Sequence, residues 1–269
     1  MKKSIYVYGV QGADFHTIAE SLSRALPDYT IKIVDRAALL SADFNPDRVA
    51  GFILPGAARG EYDKNIGDDG FAAIKRFVAQ GGVFAGFCAG AYYASSKIEW
   101  RMDCPESRRE KTPGLAFFNG IARGPARQLL EKPDGKWHWG SSSAVDISIS
   151  GQSKPMKALY WGGPVMRGDF SAYTVLARFS GLPDAPPCLM TRRYGRGRVL
   201  LSAIHPEVSL DQLAPFTAGS HDDSIHLKRV TMELAPYENQ RKALWEQIVR
   251  MFNGKSPALP FTFGRRVRR

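Results

Sequence analysis

The stretch Val83-Phe84-Ala85-Gly86-Phe87-Cys88-Ala89-Gly90 is an apolar run that passes directly into the helix-compatible Ala91-Tyr92-Tyr93-Ala94-Ser95, with a cysteine at the junction. Few folds accommodate a strand that becomes a helix with no loop between. Gly86 and Gly90, two residues before and two after Cys88, let neighbouring backbone pass closely, which is the nucleophile-elbow pattern of an α/β sheet with Cys in place of Ser. In such a turn the helix N-terminus favours the thiolate, and the Ala89 amide can donate to a developing oxyanion. A buried cysteine in a tight turn is the other reading of the same residues.

The rest of the first half repeats the alternation. Residues 4–8, 29–34, 51–54 and 83–86 read as strands, 15–26 and 71–80 as helices, the latter stopped by Gly81-Gly82. Strands apolar throughout and separated by helices predict an α/β fold. Its sheet is mostly parallel and covered by helices on both faces, with ligands at the strands' carboxyl ends. From 100 to 140 charge, Gly and Pro break the pattern and predict a lid-like insertion. The second half is predicted to be β-rich, with strands at 145–150, 158–161, 173–179, 187–194 and 199–204 and a closing helix over 237–252. The expected organisation is one domain over 1–253 and a basic tail over 254–269.

A second motif supplies partners for the cysteine. Leu200-Leu201-Ser202-Ala203-Ile204 is an apolar strand that runs into His205-Pro206-Glu207. Period two puts His205 and Glu207 on one side, over the rim where Cys88 is expected, so Glu207 can orient and charge an imidazole that takes the thiol proton. For a second oxyanion donor the candidate is the Ala57 amide in Leu54-Pro55-Gly56-Ala57, although an ordinary strand-to-helix loop has the same composition. Tyr62, Tyr92, Gly56, Gly162 and Gly163 abut strand ends or the elbow and are the candidate substrate-contacting residues.

Composition narrows the class. With 44% hydrophobic and 23% charged residues the chain is expected to fold throughout, and no apolar run spans a bilayer. Cys88, Cys104 and Cys188 form neither a disulfide framework nor a zinc site, and a short apolar start argues against a signal sequence, so the expected location is cytoplasmic. The net charge of +11 includes the four arginines of Arg265-Arg266-Val267-Arg268-Arg269. These allow weak polyanion contact by the tail without making the chain a nucleic-acid binder. His221-Asp222-Asp223 and His226 read as a solvated polar loop, His138 between Trp137 and Trp139 as an edge of the insertion, and Gly195-Arg196-Gly197-Arg198 as a hairpin turn. No metal or other cofactor is expected, and nothing specifies an oligomeric state.

Gly-Phe-Cys-Ala-Gly after a strand, Tyr-Gly-Arg-Gly-Arg-Val-Leu-Leu-Ser before His-Pro-Glu, and Pro-Gly-Ala after the third strand together resemble the class I glutamine amidotransferase-like superfamily. Phe87-Cys88-Ala89-Gly90-Ala91-Tyr92-Tyr93-Ala94 and Leu159-Tyr160-Trp161-Gly162-Gly163-Pro164 resemble, within it, the family named for the N-terminal domain of eukaryotic biotin-protein ligases. The resemblance implies a flavodoxin-like sandwich and a triad on Cys88, His205 and Glu207. Two departures stand out. Glutaminases of the class carry Gln where this chain has Tyr92, which argues against glutamine as substrate, and the family's Pro-Gly-Gly is Pro-Gly-Ala at 55–57. Two functions are expected: a cysteine-dependent hydrolase or amidotransferase-like enzyme acting on a small-molecule or peptide amide, or a catalytically silent ligand-binding or regulatory module linked to biotin metabolism.

Overall fold

The computed structural model describes residues 3–9, 15–57, 62–101, 108–130, 141–213 and 221–255, the side chains of 221 and 222 excepted. Its first half runs β1 (Ser4–Tyr8), α1 (Phe15–Ala25), β2 (Thr30–Val34), α2 (Arg36–Leu40), β3 (Val49–Leu54), α3 (Tyr62–Ala79), β4 (Val83–Phe87) and α4 (Ala89–Tyr93). The strands β5 (Ser95–Trp100), β6 (Arg109–Lys111), β7 (Phe118–Gly124), β8 (Ser143–Ile149), β9 (Met156–Tyr160), β10 (Val165–Gly168), β11 (Thr174–Phe179), β12 (Pro187–Tyr194) and β13 (Gly197–Ser202) follow. The chain continues with α5 (Leu210–Leu213), α6 (His221–Leu234) and α7 (Glu238–Val249).

Nine strands form the main sheet in the order β2-β1-β3-β4-β13-β12-β11-β8-β9. The first five are mutually parallel and the remaining four continue antiparallel. Period two along the strands sorts their side chains between two cores. Ile5, Val7, Ile53 and Phe87 pack with Ile18 and Leu22 of α1 and Leu244, Trp245 and Ile248 of α7. Phe52, Leu54 and Phe84 face the other way, onto Phe71, Ile74 and Phe77 of α3. Helices thus cover both faces, as the apolar strands demand.

Three local readings need correction. α3 begins at Tyr62 and not at 71, because Gly67, at φ 68° and ψ 171°, interrupts one helical segment and hides its first part from periodicity. Residues 221–234 are a helix and not a polar loop: Leu227, Val230 and Leu234 are buried at helical spacing, two of them on Leu159, Val208 and Leu213. Within the 100–140 segment, whose broken pattern hid any strands, β6 and β7 join β5 and β10 in a second sheet of order β10-β7-β5-β6. That sheet starts one residue after α4, so it grows directly out of the elbow.

Gly195 and Gly197 form the expected hairpin turn, with Tyr194 paired to Gly197, and a Cβ on Gly197 would lie 2.1 Å from the Val78 carbonyl oxygen. Close packing against the end of α3 therefore accounts for these glycines. Among the described residues no helix is long and apolar enough to cross a membrane, and no group of His, Cys, Asp and Glu is arranged to hold a metal. Cys104, His138 and the tail beyond Lys255 lie outside the described residues.

Candidate active site

Three adjacent parallel strands, β3, β4 and β13, end at one rim, and each delivers part of the site. β4 delivers Cys88, whose backbone sits at φ 49° and ψ −104°, a region a side-chain-bearing residue seldom enters. Surrounding contacts hold it there. The Cys88 amide donates to the Ser202 carbonyl at 2.8 Å, carrying the β4–β13 ladder through the turn, and its carbonyl accepts from the amides of Ala91 and Tyr92. A Cβ on Gly90 would lie 2.0 Å from the Leu54 carbonyl oxygen, and one on Gly86 would lie 2.7 Å from the Gly90 backbone. Both small positions are thus set by backbone contact. α4 spans only five residues, so its dipole acts more weakly than the sequence suggested.

β13 delivers the histidine. Ser202 donates from Oγ to the Ile204 carbonyl at 2.6 Å, tightening the exit turn, and the His205 amide donates to the Leu159 carbonyl at 2.8 Å. His205 and Glu207 are each 6% exposed, and Nδ1 meets Glu207 Oε1 at 2.7 Å. Burial alone would push this imidazole down. The Glu207 carboxylate, and after it the Cys88 thiol, outweigh burial and hold it well above the ordinary 6.5. Nε2 is buried and makes no hydrogen bond among the described residues, while Cys88 Sγ donates to the Trp161 carbonyl at 3.5 Å. The S–H is thus directed at the Trp161 carbonyl and not at Nε2.

β3 delivers Pro55-Gly56-Ala57. A Cβ on Gly56 would fall 3.2 Å from His205 Cε1 and 3.5 Å from Cys88 Cβ, so this loop closes over the space shared by the two side chains. The Pro55 carbonyl accepts from the Tyr62 hydroxyl at 2.9 Å and from the Gly90 amide at 3.2 Å, which ties the loop to α3 and to the elbow. Ala57, on the β3 exit, and Ala89, at the start of α4, thus flank Cys88. The amides of Gly90, Ala91 and Tyr92 are taken up by carbonyls, and that of Ala89 is not part of those bonds.

The remaining candidates support the site from behind. Tyr62 is fully buried and Tyr92 nearly so, and burial pushes both hydroxyls well up. The Tyr92 hydroxyl donates to the Gly162 carbonyl at 3.1 Å, and the Tyr160 hydroxyl to the Gly163 carbonyl at 2.8 Å. A Cβ on Gly163 would lie 2.0 Å from the Ala203 carbonyl oxygen, so this loop packs on the β13 exit. These contacts make the two tyrosines and two glycines parts of the frame. Sequence reasoning missed Trp161, whose carbonyl holds the thiol and whose ring lies 6.4 Å from that of His205. Its place between Tyr160 and Gly162, in a stretch already marked by its resemblance, was the available signal.

Two solved structures of glutamine amidotransferases share this architecture. One from Thermotoga maritima aligns with a TM-score of 0.58 over 94% of this chain and 99% of that one, at 12% identity. Another glutamine amidotransferase aligns with a TM-score of 0.52 over 86% and 98%, at 20% identity. At such identities the likeness defines the fold: an α/β, flavodoxin-type glutamine amidotransferase-like domain.

Within that class, the family model described as "Biotin-protein ligase, N terminal" matches residues 4–257, and the chain belongs to that family. An uncharacterized protein of Chlamydia muridarum is 30% identical over 203 residues, 73% of this chain and 74% of that one. The biotin–protein ligase of Schizosaccharomyces pombe is 26% identical over 220 residues, which is 77% of this chain but 34% of the ligase. The chain thus corresponds to about a third of that relative.

Proposed function

We propose that this chain is a cysteine-dependent hydrolase or amidotransferase-like enzyme that acts on an amide or acyl bond of a small molecule or peptide. The observation that carries the reading is the buried His205–Glu207 pair at 2.7 Å, set against the same Gly56 surface as a cysteine in a strained elbow. A satisfied core histidine has no need of a strained thiol beside it. An imidazole whose protonated form is favoured takes the thiol proton at Nε2 and, as the imidazolium, stabilises the thiolate left behind.

The sulfur then bonds to the substrate carbonyl carbon, and the carbonyl π electrons move to oxygen, where the Ala89 and Ala57 amides donate to them. Collapse expels the amine, which takes the proton from Nε2, and leaves a thioester. Water, giving its proton to His205, attacks the thioester; collapse releases the acid, and the sulfur leaving group takes that proton back. The first motion required is a turn of Sγ from the Trp161 carbonyl toward Nε2. Tyr92 in place of Gln argues for an amide other than glutamine.

One observation favours a second reading, a ligand-binding or regulatory module of the same fold linked to biotin metabolism: the thiol donates to the Trp161 carbonyl, and among the described residues Nε2 is without a hydrogen bond. The two readings part on the pH dependence of Cys88 alkylation, measured peptide by peptide in the wild type and in His205→Ala. Burial pushes the Cys188 thiol well up, so that site is an unreactive internal control. Alkylation that persists well below the ordinary thiol range and is lost in His205→Ala supports the enzyme, and a screen of small amides and peptides for amine release follows. Identical, ordinary profiles in both proteins would favour the module.

A further inference from the structure

On the Glu207 side of the triad, the turn from Pro206 to Ser209 meets α1 and α7 around a cavity of about 440 Å³. Its charged walls are largely one another's partners: Arg24 with Glu20 and Asp211, Lys242 with Glu238. Arg241 is different. It is 3% exposed, its Nη1 donates to Glu238 Oε2 at 2.7 Å, and its Nη2 donates to the Val208 carbonyl, one residue past Glu207. Ser21 Oγ holds the Glu207 carbonyl from the other side at 2.7 Å. The guanidinium spends its outer nitrogens on those two partners, and Glu207 Oε2 and Arg241 Nε are both buried without hydrogen bonds among the described residues. Arg241 therefore reaches the Glu207 carboxylate as a charge and not as a hydrogen-bond donor.

We propose that Arg241 is a positioning residue for the triad: it anchors the His205–Val208 turn through the Val208 carbonyl, and its buried cation sets how strongly the Glu207–His205 pair holds a proton. The role rests on the reading of Cys88, His205 and Glu207 as a triad. Along the buried line Glu238, Arg241, Glu207, His205 and Cys88, charge alternates in sign once the thiol proton has moved to the imidazole. A cation beside the pair weakens the pull of the carboxylate on the imidazolium. Without it, the pair would hold its proton too tightly for His205 to return it to the leaving amine. The titratable and charged groups around the pair and the cavity behind it are Cys88 from the elbow, Arg24 and Glu20 from α1, Asp211 from α5, and Glu238, Arg241, Lys242 and Glu246 from α7.

The test is the titration of the His205 imidazole by proton–carbon NMR, with its resonance identified by its loss in His205→Gln. Arg241→Met, which keeps the packing and removes the charge, is expected to move the midpoint up by about half a unit or more, and Arg241→Lys to leave it near the wild type. Glu238→Gln, which removes the opposite charge, is expected to move it down, and it serves alone if Arg241→Met does not fold. An unmoved midpoint in Arg241→Met, or equal shifts in the Met and Lys variants, would overturn the proposal; so would an upward shift in Glu238→Gln. Alkylation of Cys88 measured on the same samples keeps the two questions apart. An ordinary thiol beside a His205 that responds as described sinks the hydrolase and leaves the electrostatic role of Arg241 intact.

Discussion

The Tyr92 hydroxyl donates to the Gly162 carbonyl at 3.1 Å and so joins the helix after Cys88 to the loop that carries Trp161. In a glutaminase of this class the same position, four residues past the cysteine, is Gln. Here the longer side chain spans the gap to the β9–β10 loop, and a Cβ on Gly124 would lie 1.9 Å from its hydroxyl.

Tyr92→Phe removes the donor and leaves a buried carbonyl unpaired. The expected cost is about 1–2 kcal/mol of unfolding free energy, read from the shift of the urea midpoint at unchanged slope. A midpoint equal to that of the wild type would show that the Gly162 carbonyl finds another donor.

Gly90→Ala places a methyl group 2.0 Å from the Leu54 carbonyl oxygen, a backbone atom that cannot rotate away. Loss of about 3 kcal/mol or more, or failure to fold, is expected. Thermal unfolding close to the wild type would mean that the elbow can open.

Gly56→Ala separates function from stability. Position 56 is not at positive φ, and its new Cβ would meet His205 Cε1 at 3.2 Å and Cys88 Cβ at 3.5 Å. Stability is expected to change by about 1 kcal/mol or less, while Cys88 alkylation slows markedly. Equal alkylation rates would remove Gly56 from the reacting space.

Glu207→Gln tests the charge on the pair through pH. The folded His205 titrates above its ordinary 6.5, so its contribution to stability is fully present below about 6.5 and is lost as pH rises through the folded value. In the variant the anion is gone and burial pushes the imidazole down. The Tm of the wild type is therefore expected to exceed that of Glu207→Gln most at acidic pH, with the gap narrowing toward alkaline pH. A gap independent of pH would show that His205 does not depend on Glu207 for its charge.

Much of this arrangement is legible in the sequence, for physical reasons that vary by element. β1, β4 and β13 are buried along nearly their whole length and read as unbroken apolar runs, so their exits, with Cys88 and His205, could be placed. β6 and β7 could not. β6 is the three-residue Arg-Glu-Lys, exposed or half-exposed, and β7 mixes buried and exposed positions without strict alternation. α6 hid its buried Leu227, Val230 and Leu234 behind an acidic, histidine-bearing start. The Trp161 carbonyl and the Arg241 guanidinium act on the site across the fold, through contacts between elements that no local pattern records.

The His205 amide bonds the Leu159 carbonyl, and Cys88 leans on Ser202, although eight strands separate β4 from β13 along the chain. Pairings between such remote segments form late in folding, after the entropy of closing long loops has been met. Cys88 thus gains its bond to Ser202 and its place beside His205 only when β13 joins the sheet. A chain cut short before β13 would lack both Ser202 and His205, so the surroundings of this sulfur belong to the finished sheet and to no part of it alone.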